Sequence, residues 1–464
     1  MVQSRNKTIL SFFILALCLL ASGLTFGLLG ALEYVSPRFS KSFLSFEKIR
    51  PLHVSSVVFW ILTAAMGAVL AYVQEHSKKE LRFPILVTIQ FWLFTLSFTA
   101  ILISYFFGIF GGREYWEFHP IFSIPIALGW ILFLITIFSS IRSYRNQPVY
   151  VWMWLVGVVF FLFTYIESNL WWLPWFRNEI VHDMTIQWKS YGSLVGAWNM
   201  LIYGTSFYVM DKISGDSKYS HSALAFWIFY LGLFNGMFNW GHHIYTLPTH
   251  AYVKHIAYAV SMTELILFAR IIYLWKSALS TAKKHLHILS YKFIMAADVW
   301  VFITLGLAIA MSIPALNIYM HGTHVIVGHT MGATIGINSM LLLSFVFDQL
   351  VENQKLETYK KLISRGYITI QISLPIFFLS LISAGFVKGF WQLQEVQSTY
   401  GSMIQTLQPY FIVFALSGAS LIVGFFMVIY PAVRAFIYSF LEIKTTETKS
   451  SNFHSSEIKF TDKY

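Results

Sequence analysis

The stretch Met320-His321-Gly322-Thr323-His324-Val325-Ile326-Val327-Gly328-His329-Thr330-Met331 opens an apolar run that reads as one membrane span over 322–348. An apolar run of about 18 residues or more is long enough to cross a bilayer. In hydrocarbon the backbone must satisfy its own polar groups, so the run is a helix. Ionisable side chains inside such a helix are costly and mark function. His329 and Met331 are two residues apart, about 200° around the helix axis. One side chain points left and the other right at nearly the same depth. Histidine is the common axial haem ligand, and methionine is an accepted one that raises the potential. A helix with this spacing can hold two haems, one on each side.

Working outward, similar runs recur along all 464 residues. Twelve spans are expected, at 8–30, 52–74, 84–110, 119–141, 149–168, 190–210, 222–246, 252–277, 290–312, 322–348, 366–388 and 409–440. The first is too long for a signal peptide and has no clean small-residue cleavage site after it. The chain is 57% hydrophobic and 11% charged, where a soluble globular protein is nearer a quarter charged. Mean hydropathy is +0.63. The expected fold class is an all-α polytopic membrane protein, with one twelve-helix transmembrane haem-binding domain over 1–441. Residues 442–464 are rich in Ser, Thr, Lys and Glu, and read as a polar, disordered cytoplasmic tail. There is no second domain and no internal repeat.

The net charge of +11 does not point to nucleic acid, because the charges lie in short loops between spans. With Arg5 and Lys7 placed in the cytoplasm, the N-terminus and inner loops carry 16 Lys and Arg against 9 in the outer loops, the bias expected of cytoplasmic loops. The N- and C-termini are then both cytoplasmic, in a bacterial inner membrane. The single cysteine, Cys18, excludes a Cys-x-x-Cys-His attachment site for c-type haem, a two-cysteine copper centre and an iron–sulfur cluster on this chain.

His53 opens the second span, and His242 and His243 are adjacent near the outer end of the seventh. Taken singly, a buried histidine is more often a hydrogen-bonded core residue, and a methionine in an apolar helix is packing. The ordered set points to ligation. His53, from another helix, could ligate the second face of one haem. Two desolvated adjacent imidazoles need partners, and a metal is the simplest one.

His53, Gly112-Arg113-Glu114-Tyr115-Trp116-Glu117, Gly241-His242-His243, Glu264 and His321-Gly322-Thr323 followed by His329 occur in the order and spacing of the haem-copper oxidase superfamily. The chain most resembles the large, catalytic subunit of cytochrome-c-dependent nitric oxide reductases, and next the C-type cytochrome c oxidase subunit I. The resemblance covers essentially the whole chain. It implies two b-type haems, with His53 on the low-spin haem and His329 as proximal ligand of the high-spin one. It further implies that His242 and His243 bind a non-haem metal, iron in a reductase or copper in an oxidase. Glu114 would bind a calcium bridging the haem propionates, with Glu117 close by and His321 and Thr323 near the propionates. Glu264 would be a buried carboxylate for proton supply. Gly236 stands where C-type oxidases carry a tyrosine, and glycine is what the reductases have there.

Three positions depart from the family pattern. Tyr191 falls on the third metal-binding histidine, Val195 on the metal-binding glutamate, and Met331 on the second low-spin histidine. His53–Met331 is a workable low-spin pair of higher potential. His324 is a rival ligand, about 10 Å further along the axis from Met331. Tyr191 is either a hard oxygen ligand to the metal, with a catalytic role, or an interior aromatic whose hydroxyl is hydrogen-bonded. His182 and Lys189 precede that span and are the nearest substitutes.

The leading expectation is a nitric-oxide-reductase-like enzyme of the respiratory chain in denitrification. It would take electrons from a membrane-anchored or soluble c-type cytochrome and act on a small gas. One alternative is an oxygen reductase or another NO chemistry such as dismutation. A second, of another class, is a haem electron carrier or NO/O2 sensor without the second metal.

Overall fold

The computed structural model describes residues 6–261, 273–277, 287–394 and 398–461, with side chains described as far as Ile443. Among the described residues the regular elements are all helical. They are α1 (Lys7–Val35), α2 (Phe46–Ser77), α3 (Pro84–Phe106), α4 (Ser123–Ser140), α5 (Val149–Ser168), a single turn α6 (Pro174–Arg177), α7 (Ile180–Tyr191), α8 (Trp198–Ser214) and α9 (Ala223–Phe238). After them come α10 (Ala251–Ser261), α11 (Ile288–Ser312), α12 (Pro314–Met320), α13 (His324–Met331), α14 (Met340–Gln349), α15 (Gln354–Gln392) and α16 (Tyr400–Thr461). Among the described residues ten helices are long and apolar enough to cross a membrane: α1 to α5, α9, α11, α13–α14, α15 and α16.

Two of the twelve expected spans are not among those ten. The 190–210 span lies inside a helix that runs from Ile180 to Ser214 and carries Asp183, Lys189, Asp211 and Lys212 along its length. The 252–277 span falls on α10 and on residues outside the described set. The last helix runs to Thr461, and no Gly or Pro follows Pro431.

α2 is the centre of the bundle. Of its most apolar window 89% is buried, against 28% for α9, which therefore lies at the edge of the bundle. At one end of α2, Lys212 Nζ joins Glu75 Oε2 (3.1 Å) and the fully buried Asp348 Oδ2 (2.9 Å). Tyr72 donates to Asp348 (2.8 Å) and Tyr208 to Glu75 (3.1 Å). This ties α2, α8 and α14 together, and removing Lys212 would strand the buried Asp348 charge.

Two helices are interrupted by π turns, at Gly192–Ala197 between α7 and α8 and at Gly332–Ser339 between α13 and α14. Such bulges widen a helix by a residue and cluster at functional sites. Here one follows Tyr191 directly and the other follows Met331.

Candidate functional site

The chain builds two groups of ligand-type side chains and a polar cap beside the first. The first group is a cavity of about 270 Å³ between α1, α2, α13, α15 and α16. His53 on α2 and Met331 on α13 both line it, as do Thr330, Phe377 and Phe414, with Arg50, Glu114 and Tyr115 at its polar edge. His53 Nδ1 donates to the carbonyl of Gly23 on α1 at 2.7 Å. That fixes the tautomer and leaves Nε2 as the ligand atom, the arrangement metal-bound histidines adopt. The cavity is flanked by two donors on different helices and lined by apolar side chains, so it fits a low-spin haem. His324 does not line it. Its ring packs edge-on to Tyr34 (5.6 Å) and Phe411 (5.1 Å).

The cap is the Gly112–Glu117 loop, closed by Arg113 N to Trp116 O (3.0 Å) and Trp116 N to Arg113 O (2.8 Å). Tyr115 sits at φ 71°, a left-handed backbone that costs a non-glycine residue energy and recurs at functional sites. Arg50, one turn before His53, bridges Glu114 (3.0 Å) and Glu117 (2.9 Å). The Glu117 side chain is only 12% exposed. Burial pushes its pKa up to about 7, with the Arg50 charge opposing and Glu114 adding to the rise. Arg113 forms a two-pronged ion pair with Asp183 on α7 and lies over the Trp171 ring at 4.8 Å. Gln187 donates to the Glu114 carbonyl at 3.1 Å. Arg50 stands three residues before His53, a spacing that places both on one helix face.

The second group centres on His242 and His243, on a 3₁₀ turn at Asn239–Ile244. Their ring centroids are 4.1 Å apart at 36°. Trp188 lies flat on His243, at 4.1 Å and 3°. Tyr191 stands 5.7 Å from each imidazole. Its hydroxyl donates to Asn235 Oδ1 (3.0 Å) and accepts from Asn239 Nδ2 (3.1 Å). His242 Nδ1 in turn donates to Asn239 Oδ1 at 2.9 Å. The residues 235, 239 and 242 recur at one-turn spacing, a signal present in the sequence, but only the fold shows that they converge on Tyr191.

His329, on α13, comes within electrostatic range of both His242 and His243, as does His321. His329 Nδ1 is buried, beside the backbone of Thr304 on α11. Burial lowers the pKa of His321. Thr323 is buried and caps α13, accepting from Val325 N at 3.2 Å. Glu264 lies outside the described residues. The two nearest substitutes for the missing ligands do not reach the pair. His182 pairs with Glu179 (3.2 Å) and stacks on Trp175, and Lys189 pairs with Glu167 (2.9 Å) above the Trp240 ring.

Among the described residues no group of three or more His, Cys, Asp and Glu is arranged to hold a metal. The pair therefore offers two imidazoles beside a phenol already committed to two amides, and Val195 adds no donor. This does not fit a three-ligand non-haem site. Gly236 has a steric reason to be glycine. A methyl group there would lie 2.8 Å from Gly196 Cα, where α9 crosses the helix carrying Tyr191. Any side chain there would force the two helices apart at the crossing.

The sequence pattern described as "Cytochrome C and Quinol oxidase polypeptide I" matches residues 7–420. The nitric oxide reductase B subunit of Stutzerimonas stutzeri is 24% identical over 361 residues, 72% of this chain and 73% of that protein. A cytochrome c oxidase subunit 1 homolog of Agrobacterium tumefaciens (strain T37) is 21% identical over 434 residues, covering 88% of this chain and 79% of that one. Among solved structures, a heme-copper terminal oxidase dimer superposes with a TM-score of 0.74 at 15% identity, over 94% of this chain and 84% of that one.

Proposed function

The chain is a member of the cytochrome c and quinol oxidase polypeptide I family of membrane oxidoreductases, and from that premise we propose that it is a haem-carrying catalytic subunit that reduces nitric oxide. In this reading two NO, two electrons and two protons give N2O and water. The observation that carries it is the Gly196–Gly236 crossing. It leaves no space for the tyrosine that an oxygen-reducing relative of the C type would need beside the histidine pair. Reducing NO asks for no such extra electron and proton.

His53 and Met331, which both line the 270 Å³ cavity, would hold the low-spin haem, and His329 would hold the high-spin one. Bound haem supplies electron transfer and the gas-binding iron. Arg50 neutralises the carboxylates at the polar edge, where propionates would lie, and a calcium on Glu114 would add to the same charge balance. Asn239 fixes the tautomer of His242, and Trp188 fixes the plane of His243. The polar cap faces outward under the charge bias of the loops, so a c-type cytochrome would deliver electrons there.

A second reading, a haem electron carrier or gas sensor, is favoured by the Tyr191–Asn235–Asn239 network, which among the described residues leaves the pair with two donors. One experiment separates the two. Haem, iron and copper are counted per purified chain, and NO and O2 consumption are measured with a reduced donor. Two haems, one further iron and NO turnover support the reductase. Copper with O2 turnover moves the chain to the oxidases, and two haems with neither metal nor turnover mean a carrier or sensor.

A further inference from the structure

The wall behind His53 is not a side chain but bare backbone. α1 and α2 run antiparallel, and three glycines of α1 meet α2 in turn: Gly23 against Val57, Gly27 against His53 and Gly30 against Ile49. At Gly27 the imidazole lies directly on the helix. A methyl group there would sit 2.8 Å from both Cε1 and Nδ1 of His53. Real Cβ atoms do not approach that closely, so the ring would have to move. The ring has one other fixed point, its Nδ1–H bond to the Gly23 carbonyl at 2.7 Å. Its free edge faces the cavity that Met331 also lines.

We propose that Gly27 is a positioning residue for the low-spin haem: by lacking a side chain it lets His53 seat against α1, keep its bond to Gly23 and present Nε2 at the reach that iron ligation requires. A side chain at 27 pushes the ring toward the cavity and breaks the Nδ1 bond. The iron then loses a correctly placed ligand, and any imidazole that still binds is less basic, since the partner of the second nitrogen sets ligand strength. The small residue is thus tied to one histidine, whereas Gly30 meets the γ-methyl of Ile49 and the edge of Phe46.

The proposal rests on His53 being the low-spin ligand, and the test separates the two. The full-length chain is purified as Gly27→Ala, Gly30→Ala and His53→Ala, and haem content with optical and paramagnetic spectra is recorded for each. Gly27→Ala is expected to lose the low-spin signal while keeping the high-spin one. Gly30→Ala, with its methyl 3.3 Å from Ile49, is expected to keep both. An unchanged low-spin signal in Gly27→Ala, alongside its loss in His53→Ala, overturns the proposal and leaves the ligation standing. A low-spin signal that survives His53→Ala overturns the ligation itself. Equal loss in Gly30→Ala makes the effect one of helix packing and also overturns the proposal. If Gly27→Ala does not accumulate, the double variant Gly27→Ala/His53→Ala decides. Its recovery supports the clash, and its failure refutes it.

Discussion

The His53–Met331 cavity and the His242–His243 pair use the same kinds of side chain to opposite effect. In the first, two donors on different helices line one space of about 270 Å³, and the one nitrogen not needed for ligation is bonded to a backbone carbonyl. In the second, the two imidazoles lie tilted 4.1 Å apart, His243 stacks on Trp188, and the neighbouring phenol has donated and accepted its hydrogen bonds within the protein. A buried polar group with partners already in place gains little from a metal, whereas one without them gains a great deal. What separates the two is the surroundings of the donors, a shared cavity in the first and aromatic and amide neighbours in the second.

The comparison can be broken most sharply at His53. His53→Ala should take the haem count from two per chain to one, and His329→Ala should remove the other, read by pyridine haemochrome and spectra. If both haem signals survive His329→Ala, the high-spin placement fails. Next in size is Tyr191→His, which restores a third imidazole beside the pair. Metal retained through purification should rise, by on the order of 10- to 100-fold in affinity if the new ring reaches the metal. No gain in bound metal would mean that the pair is not a metal site. Met331→His should keep a low-spin haem and lower its midpoint potential by on the order of 0.1 V. An unchanged potential removes Met331 from the axial position.

Gly236→Ala should destabilise the helix crossing by about 1–3 kcal/mol through overpacking, read as a lower thermal midpoint in detergent. A neutral effect would mean that the crossing relaxes freely, and the steric case against a tyrosine would weaken. The smallest effect is at Glu117. Its carboxyl ionises near pH 7 instead of its ordinary 4.5. The folded chain therefore holds more protons than the unfolded one across that window, and stability falls as pH rises from about 4.5 to 7 and then levels. Turnover should show an inflection near pH 7 that Glu117→Gln abolishes. An inflection that persists in the variant belongs to another group.

Spans were legible because hydrophobic run length is a local property, and so were His53, the His242–His243 pair and the 329/331 spacing. The partners of these residues were not. Arg50 reaches Glu114 and Glu117 across 64 and 67 positions, and Tyr191 meets Asn235 across 44. The α7–α8 helix begins earlier than hydropathy suggested, because its first turns are polar and are held by the Arg113–Asp183 pair.

The sequence by itself determined that the chain is a helical membrane protein with imidazoles at fixed intervals within its spans, because run length and helical period follow from the order of residues alone. Only the tertiary structure decided which of those imidazoles have room beside them. That depends on where helices cross, on Gly27 under His53 and on Gly196 against Gly236. A crossing is set by packing between segments far apart in the chain, which no local period records.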